Sequence, residues 1–305
     1  MITALGEALI DLMPAGADGR LWHARPGGAP MNVAVAAARL GAPTSFVGHL
    51  SSDRFGAVLR AHLDEAGVDI SQCMVTEAAT TLAVVDPGGA SSEPGFTFHS
   101  ADTTAISFDA SGVELPEGIV HLCGSVSAVL EPAAAAFEVL LAAAGDRLVS
   151  IDPNPRPAIA GEAAAFAARL DRWIDHADLV KVSRADLGWI APALDHETVA
   201  RAWMERGVRA VVVTLGGDGA IAHTAAGPVE VPSVPVEVID TVGAGDTFTG
   251  GLLCALHEAG VGDAAALDAI DADRWRQALD FAVRVAAIAC SRVGADPPWR
   301  HELAD

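Results

Sequence analysis

The chain has 305 residues, about half of them apolar, with 30 glycines and 17 prolines spread along its length. That suits one large globular α/β domain or two smaller ones and excludes a disordered or fibrous chain. With 40 acidic residues against 19 Lys and Arg, the formal net charge is −21. Such a surface repels nucleic acid and anionic membranes, so neither is an expected partner, and any site for an anionic ligand must supply its own positive potential.

From the N-terminus, "MITALGEALIDLMPAG" is apolar, contains Glu7 and Asp11, and lacks a basic leader; it predicts a strand rather than a signal peptide. Further strands are expected at "TSFVGHL", "GIVHLCG", "RLVSIDPN", "ADLVKVS" and "RAVVVTLGG". Helical patterns at 31–40, 53–66, 131–145, 161–176, 195–206, 245–258 and near 274–292 separate them. Short apolar strands alternating with helices indicate a mainly parallel sheet covered on both faces, with ligands bound beyond the C-terminal strand ends. Residues 11–26 and 78–103 break the alternation and form either a small β-flap or long surface loops. Nothing in the chain resembles a repeat or a linker, so a single domain over 1–305 is expected. Cys73, Cys123, Cys254 and Cys290 are far apart and form no CxxC pair, as expected for reduced thiols in a cytosolic protein rather than a disulfide frame or zinc site. No apolar run is long enough to predict a membrane span.

Two glycine-led segments carry the chemistry. In "IDTVGAGDTFTGG" (239–251) the glycines let backbone amides point into one concavity where a helical pattern begins. Amides at a helix start, backed by the helix dipole, make an anion site. Asp246 falls in the first turn of that helix. A carboxylate there either caps the helix or accepts the proton of an attacking hydroxyl while the amides hold a transferring phosphoryl group. Near the other end, "RPGGAPMNVAVAAARLG" (25–41) runs a Gly-Gly turn into an alanine-rich helix, with Asn32 on its first turn. The chain has no GxxxxGK[ST] and no GxGxxG after a strand, which argues against a Walker-type loop and against a nicotinamide oxidoreductase.

Together these segments closely resemble the paired signatures of the ribokinase/phosphofructokinase-B (PfkB) family of sugar kinases. The resemblance covers nearly the whole chain: "GEALIDLMP" looks like the opening strand of the fructokinase branch, and "DPNPRP", "KVSRADL", "TLGGDGA" and "AAIACSRVGADPPWR" follow in family order. It implies a three-layer α/β/α ribokinase-like (Rossmann-like) domain with a small β-sheet lid formed by about 11–26 and 78–103. The implied reaction moves the γ-phosphoryl group of ATP to a sugar hydroxyl, with Mg²⁺ and a monovalent cation such as K⁺. A cytoplasmic homodimer with packed lids is also implied.

Carried over by position, Asp246 matches the catalytic base, and Gly243, Ala244 and Gly245 the anion-hole amides. Asp11, Gly27, Gly28 and Asn32 fall where the family binds sugar hydroxyls, and Arg156 where it places an arginine facing substrate or phosphate. Thr214, Gly216 and Gly219 match the nucleotide-phosphate loop, and Lys181 and Ser183 are expected to bind the nucleotide as well. Asp240, with the backbone around Val242, Ala289 and Gly294, resembles the monovalent-cation loop. Many relatives carry Asn-x-x-Glu where this chain has Ser183-Arg184-Ala185-Asp186. Ser is common there in fructokinase-like chains, but Asp186 reaches one methylene less far toward the magnesium waters. After "FTF" the family often continues Tyr-Arg, and here it is His99-Ser100. The missing cation tilts the expected substrate from 2-keto-3-deoxygluconate toward a neutral sugar, fructose first; "GEALIDL" leans away from ribose and nucleosides. A silent sugar- or nucleotide-binding regulator is the non-enzyme alternative, against which the retained Asp246 and glycines count. With no tyrosine in the chain, stacking in the pocket falls to Phe, Trp or His.

Overall fold

Six of the apolar runs become neighbouring strands of one sheet. The computed structural model describes residues 1–15, 20–86 and 95–303, so positions 16–19 and 87–94 of the two unusual segments lie outside the described residues. In chain order the first half comprises β1 (Ile2–Leu5), β2 (Leu9–Pro14), β3 (Trp22–Gly27), α1 (Ala29–Arg39), β4 (Thr44–Val47), β5 (His49–Ser51), α2 (Arg54–Glu65), β6 (Met74–Thr76), β7 (Leu82–Asp86), β8 (Gly95–His99), β9 (Ile119–Cys123) and α3 (Ala133–Ala142). The second half comprises β10 (Leu148–Asp152), α4 (Pro157–Ala160), α5 (Ala163–Ile174), β11 (Leu179–Ser183), α6 (Arg184–Ile190), α7 (His196–Glu205), β12 (Ala210–Thr214), β13 (Ala220–Thr224), β14 (Gly227–Val231), α8 (Ala244–Glu258), α9 (Ala264–Asp268) and α10 (Ala272–Cys290).

The main sheet has the order β14-β13-β12-β11-β10-β9-β1-β4. The six strands from β12 to β4 are parallel, and the hairpin β13–β14 extends one edge antiparallel. That hairpin and the short helices α4, α6 and α9 are absent from the sequence reading, being too short to show a period. The run "TSFVGHL" is two strands: it breaks at Gly48, and β5 leaves the main sheet to pair with β6.

Both faces of the sheet are apolar, as parallel strands require. Ile119, Leu148, Leu179 and Val212 pack with Val33, Phe248, Leu252 and Leu279 of α1, α8 and α10. The alternate residues Val120, Val149, Val180 and Val211 pack with Phe137, Phe166, Trp173 and Trp203 of α3, α5 and α7. Each such fully buried side chain contributes about 1.5–3 kcal/mol. The result is the three-layer α/β/α arrangement.

Strand β1 has β4 on one side and β9 on the other, so the order of connection reverses between β1 and β9. A crevice forms at such a switch point, beyond the C-terminal strand ends. Over it stands a second sheet of order β3-β2-β7-β8. Within 11–26 and 78–103, residues 11–14, 22–26, 82–86 and 95–99 are therefore strands. Leu9, Ala83, Ala105 and Val126 form a small apolar cluster beneath it, with Phe96 and Phe98 packed alongside. Among the described residues no helix is long and apolar enough to cross a membrane, and all four cysteines are free.

Candidate active site

A cleft of about 1270 Å³ lies across the C-terminal ends of the central strands, bounded by the second sheet and the start of α8. Gly243 precedes α8 with φ 73°, the left-handed region that glycine enters without strain. A Cβ there would also fall 2.5 Å from the Ala295 Cβ. No side chain caps the helix. The Ala244 N–H donates to Thr241 O at 3.2 Å, and the following amides of the first turn are the orphan donors that a helix start leaves open.

Asp246 sits in this turn and is buried. Asn32 Nδ2, from α1, donates to its Oδ2 at 2.8 Å; the two glycine-led helix starts thus meet through one hydrogen bond. Burial pushes the Asp246 carboxyl up to about 6, against the pull of Asn32, Arg156 and Lys181 and with help from Asp152. Across the cleft, Asp11 on β2 is pushed up to about 7, first by burial, then by the charge of Asp246, with Arg156 opposing and Glu7 adding. A Cβ on Gly27 would lie 2.1 Å from Asp11 Oδ2, so glycine there makes room for the carboxylate. Two buried acids raised toward neutral pH in one cleft are candidates for acid–base chemistry.

Arg156 precedes α4 and holds its guanidinium 5.9 Å from the Phe96 ring centroid. That is a cation–π arrangement, and among the described residues Arg156 has no ion pair. Phe96 and Phe98, on β8, supply the aromatic wall.

The far half of the cleft is lined by Thr214, Gly216, Gly219, Lys181, Ser183 and Asp186. Thr214 ends β12, and Gly216–Asp218 forms a 3₁₀ turn before β13. Ser183 caps α6, accepting from the Asp186 N–H at 2.9 Å and donating its hydroxyl to Asp186 Oδ2 at 2.6 Å. Burial raises the Asp186 carboxyl, Asp152 adds to this, and Ser183, Lys181 and Arg156 oppose it. Lys181 Nζ donates to Asp152 Oδ2 at 2.8 Å, with both side chains buried. Beyond them Val236, Val238, Phe248, Val283, Ala286 and Ala287 make an apolar end wall.

Gly27 and Asp240 do not line the cleft; they sit behind it. Asp240 accepts from Val242 N–H at 3.0 Å and Gly294 N–H at 2.7 Å, pinning the loop before α8 to the turn after α10. Ala289 O accepts from Arg292 N–H at 3.0 Å. Glu7 and Asp152 fall inside the sequence motifs, yet their roles emerge only from the fold. Glu7 is 2% exposed and accepts from the Ser125 hydroxyl, Val126 N–H at 3.3 Å and Ser127 N–H at 2.9 Å, stitching β1 to β9 at the switch point. The available signal was a lone acid at the C-terminal end of an apolar strand run, as in "ITALGE" and "LVSID". Among the described residues no group of three or more His, Cys, Asp or Glu could hold a metal ion.

Comparison with known proteins identifies the family of this chain. Residues 1–302 match the pfkB family carbohydrate kinase. A fructokinase of Rhizobium leguminosarum bv. trifolii is 36% identical over 266 residues, covering 84% of this chain and 79% of the relative. The crystal structure of a Xylella fastidiosa fructokinase with bound ATP has a TM-score of 0.87 at 33% identity, covering 96% of this chain and 93% of that one. A double mutant of the Vibrio cholerae O395 fructokinase, bound to fructose, ADP and potassium ion, has a TM-score of 0.83 at 29% identity, covering 96% and 93%.

Proposed function

The chain belongs to the pfkB family of carbohydrate kinases, and from that premise we propose that it is an ATP-dependent fructokinase. Asp246 carries the reading: a buried carboxylate held by Asn32 at an uncapped helix start, facing a second acid across a cleft large enough for two substrates.

Asp11, Gly28 and Asn32 bind sugar hydroxyls, with Gly27 leaving space for the Asp11 carboxylate. Asp246 takes the proton of the attacking hydroxyl as that oxygen forms its bond to the γ-phosphorus. The bond from the γ-phosphorus to the bridging oxygen breaks, and its electron pair leaves on the β-phosphate of ADP. Amides of Gly243, Gly245 and Asp246 hold the migrating group where charge accumulates, whereas the Ala244 N–H, expected among them, is taken up by Thr241 O; Arg156 adds a cation on the sugar side. Thr214, Gly216 and Gly219 lie along the phosphates, with Ser183 orienting Asp186, and the apolar end wall takes the base.

The residues also suit Mg²⁺. One oxygen of Asp186 is fixed by Ser183, and burial leaves the carboxyl wanting a nearby cation. The lack of a side-chain cage suits an ion held mainly by phosphates and water. When bound, Mg²⁺ neutralises phosphate charge. Asp240 is placed to brace a loop whose carbonyls would hold a monovalent cation such as K⁺.

The second sheet acts as a lid that excludes water from the cleft. Leu21 and Trp22, 60% and 38% exposed where edge strand β3 begins, support lid-to-lid packing in a homodimer, which light scattering would test. Free thiols are in keeping with a cytoplasmic location.

A coupled ADP-release assay over fructose, 2-keto-3-deoxygluconate, ribose and adenosine tests the substrate. Saturable turnover on fructose far above the others is expected. Preference for the sugar acid overturns that reading in favour of a second one, which the unpaired guanidinium of Arg156 supports. Sugar binding without ATP consumption indicates a silent regulator.

A further inference from the structure

We propose that Lys181 is a positioning residue of the transfer step: clamped by Asp152 beneath the first turn of α8, its ammonium keeps Asp246 charged and strengthens the amide cradle for the migrating phosphoryl group. The inference rests on the kinase reading and goes beyond it by assigning Lys181 a task other than touching the nucleotide.

The geometry places the ammonium closely. Lys181 is 3% exposed, and Nζ lies 2.8 Å from Asp152 Oδ2. A Cβ on Gly245 would come within 3.3 Å of Nζ. The ammonium therefore lies against the bare backbone of Gly245, the residue preceding Asp246. A cation against the positive end of a helix is unfavourable by itself. A buried ion pair is also a poor stability device, since neutral side chains of similar volume usually serve as well or better. Stability gives no reason for this lysine to be here, whereas an anion arriving at the helix start makes its position favourable.

The surrounding charges sharpen the point. Asp246 is faced by Asn32 from α1, Asp11 from β2, Asp152 from β10, Arg156 just before α4 and Lys181 from β11; two of these are cations. Lys181 itself is faced by Asp152, Asp186, Asp246 and His121. His121 supplies no second cation: burial first, then Lys181, pushes its pKa down to about 3, and Ser150 Oγ lies 3.1 Å from its Nδ1. In a chain of net charge −21, Lys181 and Arg156 are the cations acting directly on the base.

The test removes both members of the pair, so that no lone buried charge remains. Lys181→Met/Asp152→Asn is made first, with Lys181→Gln/Asp152→Asn as the second variant should the first fold poorly. With fructose and ATP, the acid limb of kcat/KM is expected to move up by a fraction of a pH unit, because the larger downward pull of Lys181 on Asp246 and the smaller upward push of Asp152 are lost together. kcat near pH 7.5 falls roughly 10²-fold, the scale for one preorganised donor, and KM for fructose changes little. A readout free of turnover accompanies these. Asp246→Asn is introduced into the parent and the paired variant, and thermal unfolding is followed against pH. The pH at which the Asn substitution stops gaining stability reports when Asp246 ionises, and it should rise in the paired variant. If the crossover rises but fructose is not phosphorylated, the Lys181 assignment stands and the substrate reading fails. If neither the limb nor the crossover moves, Lys181 is structural only and the proposal is overturned.

Discussion

Replacing Asp246 with Asn should move activity and stability in opposite directions. The side chain keeps its shape, and its amide oxygen can still accept from Asn32 Nδ2, so the fold is undisturbed. In the native protein the carboxyl holds its proton to about pH 6 rather than near 3.8. Above pH 6 the folded state thus carries an ionised group that the unfolded state hosts more comfortably, at a cost of up to about 3 kcal/mol. The sign follows directly. Between pH 3.8 and 6 the unfolded carboxyl ionises while the folded one stays neutral, so this group's contribution to stability falls as pH rises through that window and is flat above it. Removing the charge should raise Tm by about 3–6 °C at pH 8 and by almost nothing near pH 4. Loss of a general base should lower kcat about 10³-fold, or about 4 kcal/mol in barrier, at unchanged ATP affinity. Differential scanning fluorimetry from pH 4 to 8 and the coupled ADP assay measure the two effects. A variant with near-normal kcat would refute the base assignment. Lost activity with lowered Tm at pH 8 would instead mean a structural role.

Arg156→Met removes a cation that pulls both Asp11 and Asp246 down; the acid limb of the pH–kcat/KM profile should move to higher pH, and KM for the sugar should rise. An unmoved limb would mean that Arg156 does not act on the two acids. Asp11→Asn should weaken sugar binding by about 1–3 kcal/mol while raising Tm above pH 7, again by relieving a buried charge; calorimetric titration with fructose measures the first and thermal unfolding the second. Glu7→Ala leaves the Ser125 hydroxyl and two amides without an acceptor and should cost about 3 kcal/mol in urea unfolding. Gly243→Ala forces a side chain into the left-handed region against Ala295, and its strain of about 1–2 kcal/mol should appear as lost kcat, checked by steady-state kinetics.

Much of the architecture was legible because local chemistry repeats along the chain. Parallel strands buried on both faces write themselves as short apolar runs, and the long amphipathic helices as a 3.6-residue pattern. The described parts of 11–26 and 78–103 could not be settled that way. Strands of the second sheet lie half-exposed, and β2 pairs with β7 across two helices and four intervening strands. Hairpin β13–β14 and helix α6 are too short to show a period; α6 exists because the Ser183 hydroxyl caps it.

The site divides along the same line. The residue types were readable: a glycine-led helix start announces an anion cradle, and an acid in its first turn announces itself as a possible base, because both properties are local. What Asp246 can do was decided by partners remote in the chain. Asn32, 214 residues away, fixes its orientation, and Arg156 and Lys181 offset the cost of burying it. Glu7 and Asp152 gained meaning only when the sheet set Ser125 and Lys181 beside them. A carboxylate's protonation depends on its distance to other charges and to water, and those distances exist only after the chain has folded.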